Sequence, residues 1–174
     1  MKASLTEYRE ADMQKRLGPF FVTGLPRSRT CWLANLFTTD TTICYHDVPF
    51  DLAKVDCGKV VGFAGPQVCT QFTDICQFYP QAPWLIVLRE QSEALAAFKK
   101  VATNIEVPEN YWRDRCHLIS ALCSKWQAMT VNFDELDSES VVRGAWAHLL
   151  PGIPFDAERY RLLCWMNVQQ RAPC

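Results

Sequence analysis

The chain has 174 residues, of which 49% are hydrophobic and 21% charged, and its formal net charge is −1. This length and composition predict a single globular domain over residues 1–174. A net charge near zero argues against broad electrostatic binding to nucleic acid, and no apolar run is long enough to cross a bilayer.

The first sixteen residues mix charged and apolar side chains and lack the apolar core of a signal peptide, so we expect a cytoplasmic protein. The nine cysteines contain no CxxC pair, and the three histidines are scattered. This pattern argues against a structural zinc site and indicates reduced thiols. We expect no bound metal.

Short apolar runs alternate with longer stretches of helical periodicity along the chain. Residues 1–17 form a charged lead-in, for which a helix is one interpretation. After it, the runs predict strands at 20–23, 41–45, 59–63, 83–88 and 129–133. Apolar spacing predicts helices at 29–38, 67–78, 92–103, 108–128, 138–150 and 156–169, with a loop and a short helix in 47–57. The alternation predicts a three-layer α/β fold, with a mostly parallel sheet and helices on both faces.

The stretch after the first predicted strand carries the strongest functional signal. Gly24 ends the apolar run, and Arg27, Ser28, Arg29 and Thr30 follow before the first helix. Strand, tight loop and helix start form an arrangement that binds phosphate or sulfate, and arginine and hydroxyl side chains add donors.

Other polar residues should meet this loop in the fold. His46 and Arg89 each follow a predicted strand. Because the carboxyl ends of parallel strands share one edge, we expect both residues to lie near the loop. Arg89 could instead cap the sheet edge through a salt bridge to Glu90 or Glu93. His46 could have a purely structural role.

The loop differs from a Walker A motif. Counted from Gly24, the second glycine, the lysine and the hydroxyl residue of that motif would fall on Arg29, Thr30 and Cys31. The missing lysine and magnesium-binding hydroxyl disfavour an ATP or GTP hydrolase. A small-molecule kinase with a degenerate P-loop remains an alternative.

The sequence Gly-Leu-Pro-Arg-Ser-Arg-Thr-Cys-Trp-Leu from Gly24 resembles the 5′-phosphosulfate loop of the sulfotransferase family, roughly Pro-Lys/Arg-Ser-Gly-Thr-Thr/Ser-Trp-Leu. The apolar run ending in Arg89 is similar to the family's strand before its 3′-phosphate arginine. Residues 131–136 and 152–155 are similar to its "Tyr-Glu-Asp-Leu … Leu-Gly-Leu-Pro" segment. The resemblance implies a P-loop-related fold and a transferase that moves a sulfuryl group from 3′-phosphoadenosine-5′-phosphosulfate to a small-molecule hydroxyl or amine without a metal.

The resemblance also implies a role for each matching residue. Arg27 would contact the transferring sulfuryl group, and Ser28 and Thr30 would bind the 5′-phosphate. Trp32 would lie near the adenine, although an aromatic residue at a helix start is as readily part of the core. Arg89 would hold the 3′-phosphate.

Two further loop positions, Arg29 and Cys31, complete the predicted nucleotide-binding set. Many family members need a general base for the acceptor hydroxyl. His46 is our candidate, because its unperturbed pKa suits the task, and Asp47 is the alternative. The region 104–128 is the expected wall of an acceptor pocket, and the tryptophan-rich C-terminal helices could form a homodimer interface.

The sequence departs from the family pattern at three places. Arg29 stands where the family has glycine, so it is either a further anion ligand or a strained residue. Ala97 stands where the family has a serine that helps to bind the 3′-phosphate. Because the sequence ends at Cys174, we expect no glycine- and lysine-rich segment closing over the donor. These departures leave a non-catalytic nucleotide- or anion-binding protein as an alternative.

Overall fold

The computed structural model describes residues 18–55, 58–125 and 128–166. The predicted lead-in, Trp126 and the predicted helix beyond Met166 lie outside these ranges. The strands are β1 (Phe20–Gly24), β2 (Thr42–His46), β3 (Val60–Ala64), β4 (Trp84–Leu88) and β5 (Met129–Asn132). The α-helices are α1 (Thr30–Leu36), α2 (Phe72–Phe78), α3 (Gln91–Lys99), α4 (Glu109–Lys125), α5 (Glu139–Leu149) and α6 (Ala157–Met166). Three 3₁₀ turns lie at Leu52–Lys54, Val68–Gln71 and Phe133–Asp137.

The five strands form one sheet in the order β2-β3-β1-β4-β5, and every pairing is parallel. The predicted α/β fold with a parallel sheet is therefore confirmed. The chain leaves β1 toward β2 on one side and later crosses over β1 to reach β4 on the other side. This reversal places the carboxyl end of β1 at the topological switch point, which is where open α/β sheets bind ligands.

Helices cover both faces of the sheet, as the apolar strands require. Alternate residues of β1 point to opposite faces: Phe20 and Val22 join one core, and Phe21 joins the other. The first core is completed by α1, α5 and α6, and the second by the Val68–Gln71 turn, α2, α3 and α4. This burial on both faces explains the absence of polar alternation in β1 and β4.

Two sequence predictions about helices need correction. The stretch predicted as one helix over 67–78 is a 3₁₀ turn followed by α2. The helix predicted over 92–103 ends at Lys99, and Val101, which we expected to face inward, is 49% exposed. The last turn is tighter than an α-helix, because the Val101 amide donates to the Phe98 carbonyl, three residues earlier, at 3.0 Å. This tighter turn directs Val101 away from the core.

The cysteines and the helices bear on two predictions made from composition. Across the described ranges, no cysteine takes part in a disulfide. Among the same residues, no helix is both long enough and apolar enough to cross a membrane.

The close approach of β1 and β4 fixes the start of the loop. Gly24 pairs with Val87, and a Cβ at Gly24 would lie 2.8 Å from the Val87 carbonyl oxygen and 3.1 Å from the Ser28 Cβ. Contacts this short with backbone require the two strands to separate. Glycine is therefore needed where the loop leaves the sheet.

We expect Gly24→Ala to lower the free energy of unfolding by about 1–3 kcal/mol, because the added methyl overpacks a backbone contact. Gly144→Ala is the matched control. Gly144 lies inside α5, where the nearest atom to an added Cβ is the Met129 Cε at 3.6 Å, so alanine should leave stability unchanged or raise it. Urea denaturation of both variants measures the difference, and equal stability would contradict the proposed overpacking.

Candidate anion-binding site

The loop between β1 and α1 has an unusual backbone. Arg27 (φ 70°) and Arg29 (φ 60°) both occupy the left-handed region, although neither is glycine. Between them, the Ser28 amide donates to the Leu25 carbonyl at 3.1 Å and closes a tight turn. Left-handed residues in such loops turn backbone amides toward a common point, which creates a concavity suited to anions.

Ser28 lies at the base of this loop. Its side chain is fully buried, and its hydroxyl oxygen has no hydrogen-bond partner among the described residues. A buried hydroxyl without a partner costs about 1–3 kcal/mol. An anion seated in the loop would accept this hydrogen bond and offset the cost.

Arg89 reaches from the end of β4 to the loop, as predicted. One guanidinium nitrogen donates to the Arg27 carbonyl, and the guanidinium carbon lies 3.8 Å from the centre of the Phe133 ring. The Arg89 Nε also lies 3.9 Å from a Glu93 carboxylate oxygen, so the predicted salt bridge is present but long. Arg89 therefore holds the left-handed turn at Arg27 in place.

Charged groups around Arg89 shift its pKa in opposite directions. Burial lowers the pKa of Arg89, the nearby carboxylates of Glu93 and Asp134 raise it, and the cations Arg27 and Arg29 lower it. The effects of the two cations show that Arg27 and Arg29 both lie within electrostatic range of Arg89. An anion among them would relieve their repulsion.

Arg29 is held on the outer side of the loop. Its guanidinium donates to Asp137 at 2.5 Å and lies 4.8 Å from the centre of the Phe133 ring. Phe133 is thus stacked by both Arg29 and Arg89. The sequence assigned no place in the site to Phe133 or Asp137; Asp137 was one of two candidate caps for the helix that follows it. The available signal was the position of Phe133, directly after the last strand and within the family-like segment.

His46 lies beside the loop at the end of β2, as predicted. Its Nε2 is 3.3 Å from the Thr30 hydroxyl, and its Nδ1 is 3.3 Å from an Asp47 carboxylate oxygen. Burial lowers the pKa of His46, and the negative charge of Asp47 partly opposes that effect. The two residues proposed as alternative bases are therefore direct partners.

The two remaining predicted ligands, Cys31 and Trp32, lie in the first turn of α1. Trp32 is 4% exposed and packs edge to face on Tyr160, with ring centroids 5.9 Å apart, so its indole belongs to the core. Cys31 is exposed at the start of α1. Ala97, at the position where the sequence analysis noted a departure from the sulfotransferase pattern, is half-buried on α3. A role for Trp32 or Cys31 in nucleotide binding stays a prediction.

A cavity of about 580 Å³ lies beyond Arg89, between the ends of β4 and β5 and helix α4. Leu25, Ile119 and Phe133 give it an apolar lining, and Glu90, Glu93 and Asp134 line it with carboxylates. Helix α4 belongs to the region predicted as a pocket wall. Leu25, which begins the loop, and Arg89, which donates to the Arg27 carbonyl, both line the cavity, so the cavity adjoins the loop.

No family model matches the sequence, and a search of curated proteins found no match. Among solved structures, the chain is similar to mouse sulfotransferase SULT7A1 complexed with PAP. The TM-score is 0.56 at 15% sequence identity, over 92% of this chain and 71% of that one. The protein has a sulfotransferase-like fold. This likeness is structural, and it agrees with the fold that the loop sequence implied.

The site of this sulfotransferase-like protein is built mainly from arginines and hydroxyls. In the parts of the chain that the structure describes, no group of three or more histidine, cysteine, aspartate or glutamate side chains could hold a metal ion. The donors available to an anion at this site are the guanidinium groups, the loop amides and the hydroxyls of Ser28 and Thr30.

Replacing Arg29 by glycine and by alanine tests the backbone strain. Both changes remove the ion pair to Asp137 and the contact with Phe133, but only glycine adopts the left-handed backbone without cost. We expect Arg29→Gly to be more stable than Arg29→Ala by about 1–2 kcal/mol in denaturant titrations. If the two variants unfold at the same denaturant concentration, the left-handed conformation is not strained.

Proposed function

We propose that this protein is an enzyme that transfers a sulfuryl group from 3′-phosphoadenosine-5′-phosphosulfate to a small-molecule hydroxyl or amine. The observation that carries the proposal is the buried, unpartnered hydroxyl of Ser28. It lies in a loop that contains Arg27 and Arg29 and that Arg89 contacts from β4. The sulfotransferase-like fold and the PAP bound in the similar mouse structure support this choice of donor.

The loop residues would act on the transferring group. Arg27 would contact the sulfuryl oxygens and stabilise the charge that grows on them as the bond to the donor breaks. Ser28 and Thr30 would donate hydrogen bonds to the 5′-phosphate. Arg29 and Cys31 would complete the loop around that phosphate.

Arg89 would have two functions. It holds the Arg27 carbonyl with one of its five N–H donors, and other donors could bind the 3′-phosphate in the adjoining cavity. Glu93 and Asp134 weaken this second contact by their negative charge. Trp32 would support the adenine end of the site through the helix that carries it.

The reaction is an in-line displacement. The acceptor oxygen or nitrogen bonds to sulfur, the bond from sulfur to the donor's bridging oxygen breaks, and adenosine 3′,5′-bisphosphate leaves with the bonding electrons. The proton of the acceptor passes to His46, the proposed general base. The cavity walled by α4 would hold the 3′-phosphate end of the donor, and the acceptor would bind on the side of the loop where His46 lies.

Other parts of the proposal concern the whole chain. We propose a single domain, a cytoplasmic location, and no nucleic-acid or membrane partner. A homodimer through the C-terminal helices remains an alternative to a monomer.

A second candidate function is non-catalytic nucleotide or anion binding. The ion pair between Arg29 and Asp137 favours it, because that pair directs the Arg29 guanidinium group away from the anion concavity.

Calorimetry with adenosine 3′,5′-bisphosphate, in the absence of metal, tests the binding site. We expect binding that weakens by about 10- to 100-fold in Arg89→Ala, because a charged hydrogen bond is removed. Arg113→Ala is the matched control: Arg113 is an exposed arginine on α4 and should bind as wild type does. Absence of binding would exclude the donor that we propose, and ATP binding that requires magnesium would favour a kinase.

Radiolabelled donor and a panel of phenols and amines test catalysis. We expect Arg27→Ala to reduce kcat by about 10²-fold or more, because the main cation at the sulfuryl group is lost. Circular dichroism should show an unchanged fold. Full activity in Arg27→Ala would rule out its role, whereas nucleotide binding without any transfer by the wild type would favour the binding-protein alternative.

A further inference from the structure

Four side chains form a row across the carboxyl ends of β1, β2 and β3. The Thr30 hydroxyl lies 3.3 Å from His46 Nε2, and His46 Nδ1 lies 3.3 Å from Asp47 Oδ2. When the Gln67 amide is oriented to suit its hydrogen-bond partners, its nitrogen donates to Asp47 Oδ1 at 2.9 Å and its oxygen accepts from the Val48 amide at 3.2 Å. The row therefore connects the anion loop to the proposed base.

The row determines which nitrogen of His46 carries the hydrogen. An ionised carboxylate only accepts hydrogen bonds, so the nitrogen facing Asp47, Nδ1, is protonated. In the neutral ring, Nε2 is then an acceptor, and the Thr30 hydroxyl must be the donor. Burial of His46, which lowers its pKa, favours this neutral form.

The backbone holds Asp47 in position for this task. Asp47 has φ 52°, and its amide donates to the Ala64 carbonyl at 3.0 Å. Gly65, with φ 150°, leaves the space that the carboxylate fills, since a Cβ there would lie 2.7 Å from Asp47 Oδ1. The unusual backbone conformations of Asp47 and Gly65 together position the Asp47 carboxylate.

We propose that Thr30 couples occupancy of the loop to the availability of His46, with Asp47 and Gln67 as positioning residues. When no anion is bound, the Thr30 hydroxyl donates its single hydrogen to His46 Nε2. An anion bound in the loop takes over that hydrogen bond, and Nε2 becomes free to accept a proton. This inference rests on the proposed function, because it assumes that the loop binds the donor's phosphate.

Hydrogen-bond strengths favour the exchange. Thr30 is 5% exposed and begins α1, directly after the loop. Its hydroxyl is therefore shielded from water, and few hydrogen-bond acceptors can reach it. A hydrogen bond to an anionic oxygen is about twice as strong as one to a neutral acceptor. The His46 side chain is 28% exposed, so an acceptor molecule can approach it once Nε2 is released.

This exchange of hydrogen bonds would fix the order in which the donor and the acceptor bind. Without donor, Nε2 is occupied and cannot accept a proton from the acceptor molecule. With donor bound, the acceptor's proton moves to Nε2 as its oxygen bonds to sulfur and the bisphosphate leaves. Productive encounters therefore require the donor to bind first.

Nitrogen-15 NMR of His46 at one fixed pH tests the coupling, with sodium sulfate and adenosine 3′,5′-bisphosphate as probes. We expect the Nε2 resonance to move downfield when either probe saturates the wild type, because the hydroxyl no longer donates to it. In Thr30→Val, the resonance should already be downfield without a probe and should move little on its addition. Ser28→Ala removes a loop hydroxyl that does not contact His46, so its probe-free spectrum should match the wild type.

Calorimetry on the same samples separates the two proposals. If a probe binds and the wild-type Nε2 resonance does not move, the coupling is wrong and the transfer proposal stands. If neither probe binds, both are wrong. The wild-type titration alone decides between these outcomes, so the test survives even if Thr30→Val fails to fold.

Asp47→Asn provides a kinetic test of the positioning residue. An asparagine amide can donate to Nδ1, which would place the ring hydrogen on Nε2 and remove the base. We expect kcat to fall by about 10²-fold or more with little change in the donor's KM. An unchanged kcat would contradict the role of Asp47, and a large rise in the donor's KM would indicate a general structural defect instead.

Discussion

The conformation of the loop after β1 depends on holding two arginines in the left-handed backbone region. Each such residue costs about 1–2 kcal/mol, so the loop needs compensating contacts. Arg89 supplies one by donating to the Arg27 carbonyl, and Asp137 supplies another through its ion pair with Arg29. Phe133 supports both, because the two guanidinium groups stack on its ring.

The same contacts concentrate positive charge at one place. Arg27 and Arg29 each repel Arg89, Glu93 and Asp134 attract it at least as strongly, and Asp137 pairs with Arg29. The buried Ser28 hydroxyl adds an unsatisfied donor at the same site. A loop that is strained, cationic and short of hydrogen-bond acceptors is stabilised by an anion, and this requirement connects its backbone geometry to the proposed function.

Sequence patterns predicted the elements well where local and tertiary preferences agree. The runs at Phe20 and Trp84 are apolar on both faces, and both became central parallel strands. The prediction failed at Val101, where apolar spacing continued but the helix did not. Periodicity reports which residues could share a face, whereas the end of a helix depends on how the following chain must pack.

The sequence alone determined the fold class, the position of the loop, and the convergence of Arg27, His46 and Arg89 at one sheet edge. These features follow from local patterns, because such patterns indicate the order of the strands along the chain and their parallel pairing. Only the tertiary structure decided what these side chains contact. The partner of Arg29 is 108 positions away, and Arg89 holds a carbonyl 62 positions away. The link from Thr30 to His46 likewise requires β1 and β2 to be placed on either side of β3. Such contacts arise from the packing of whole elements, which no local pattern specifies.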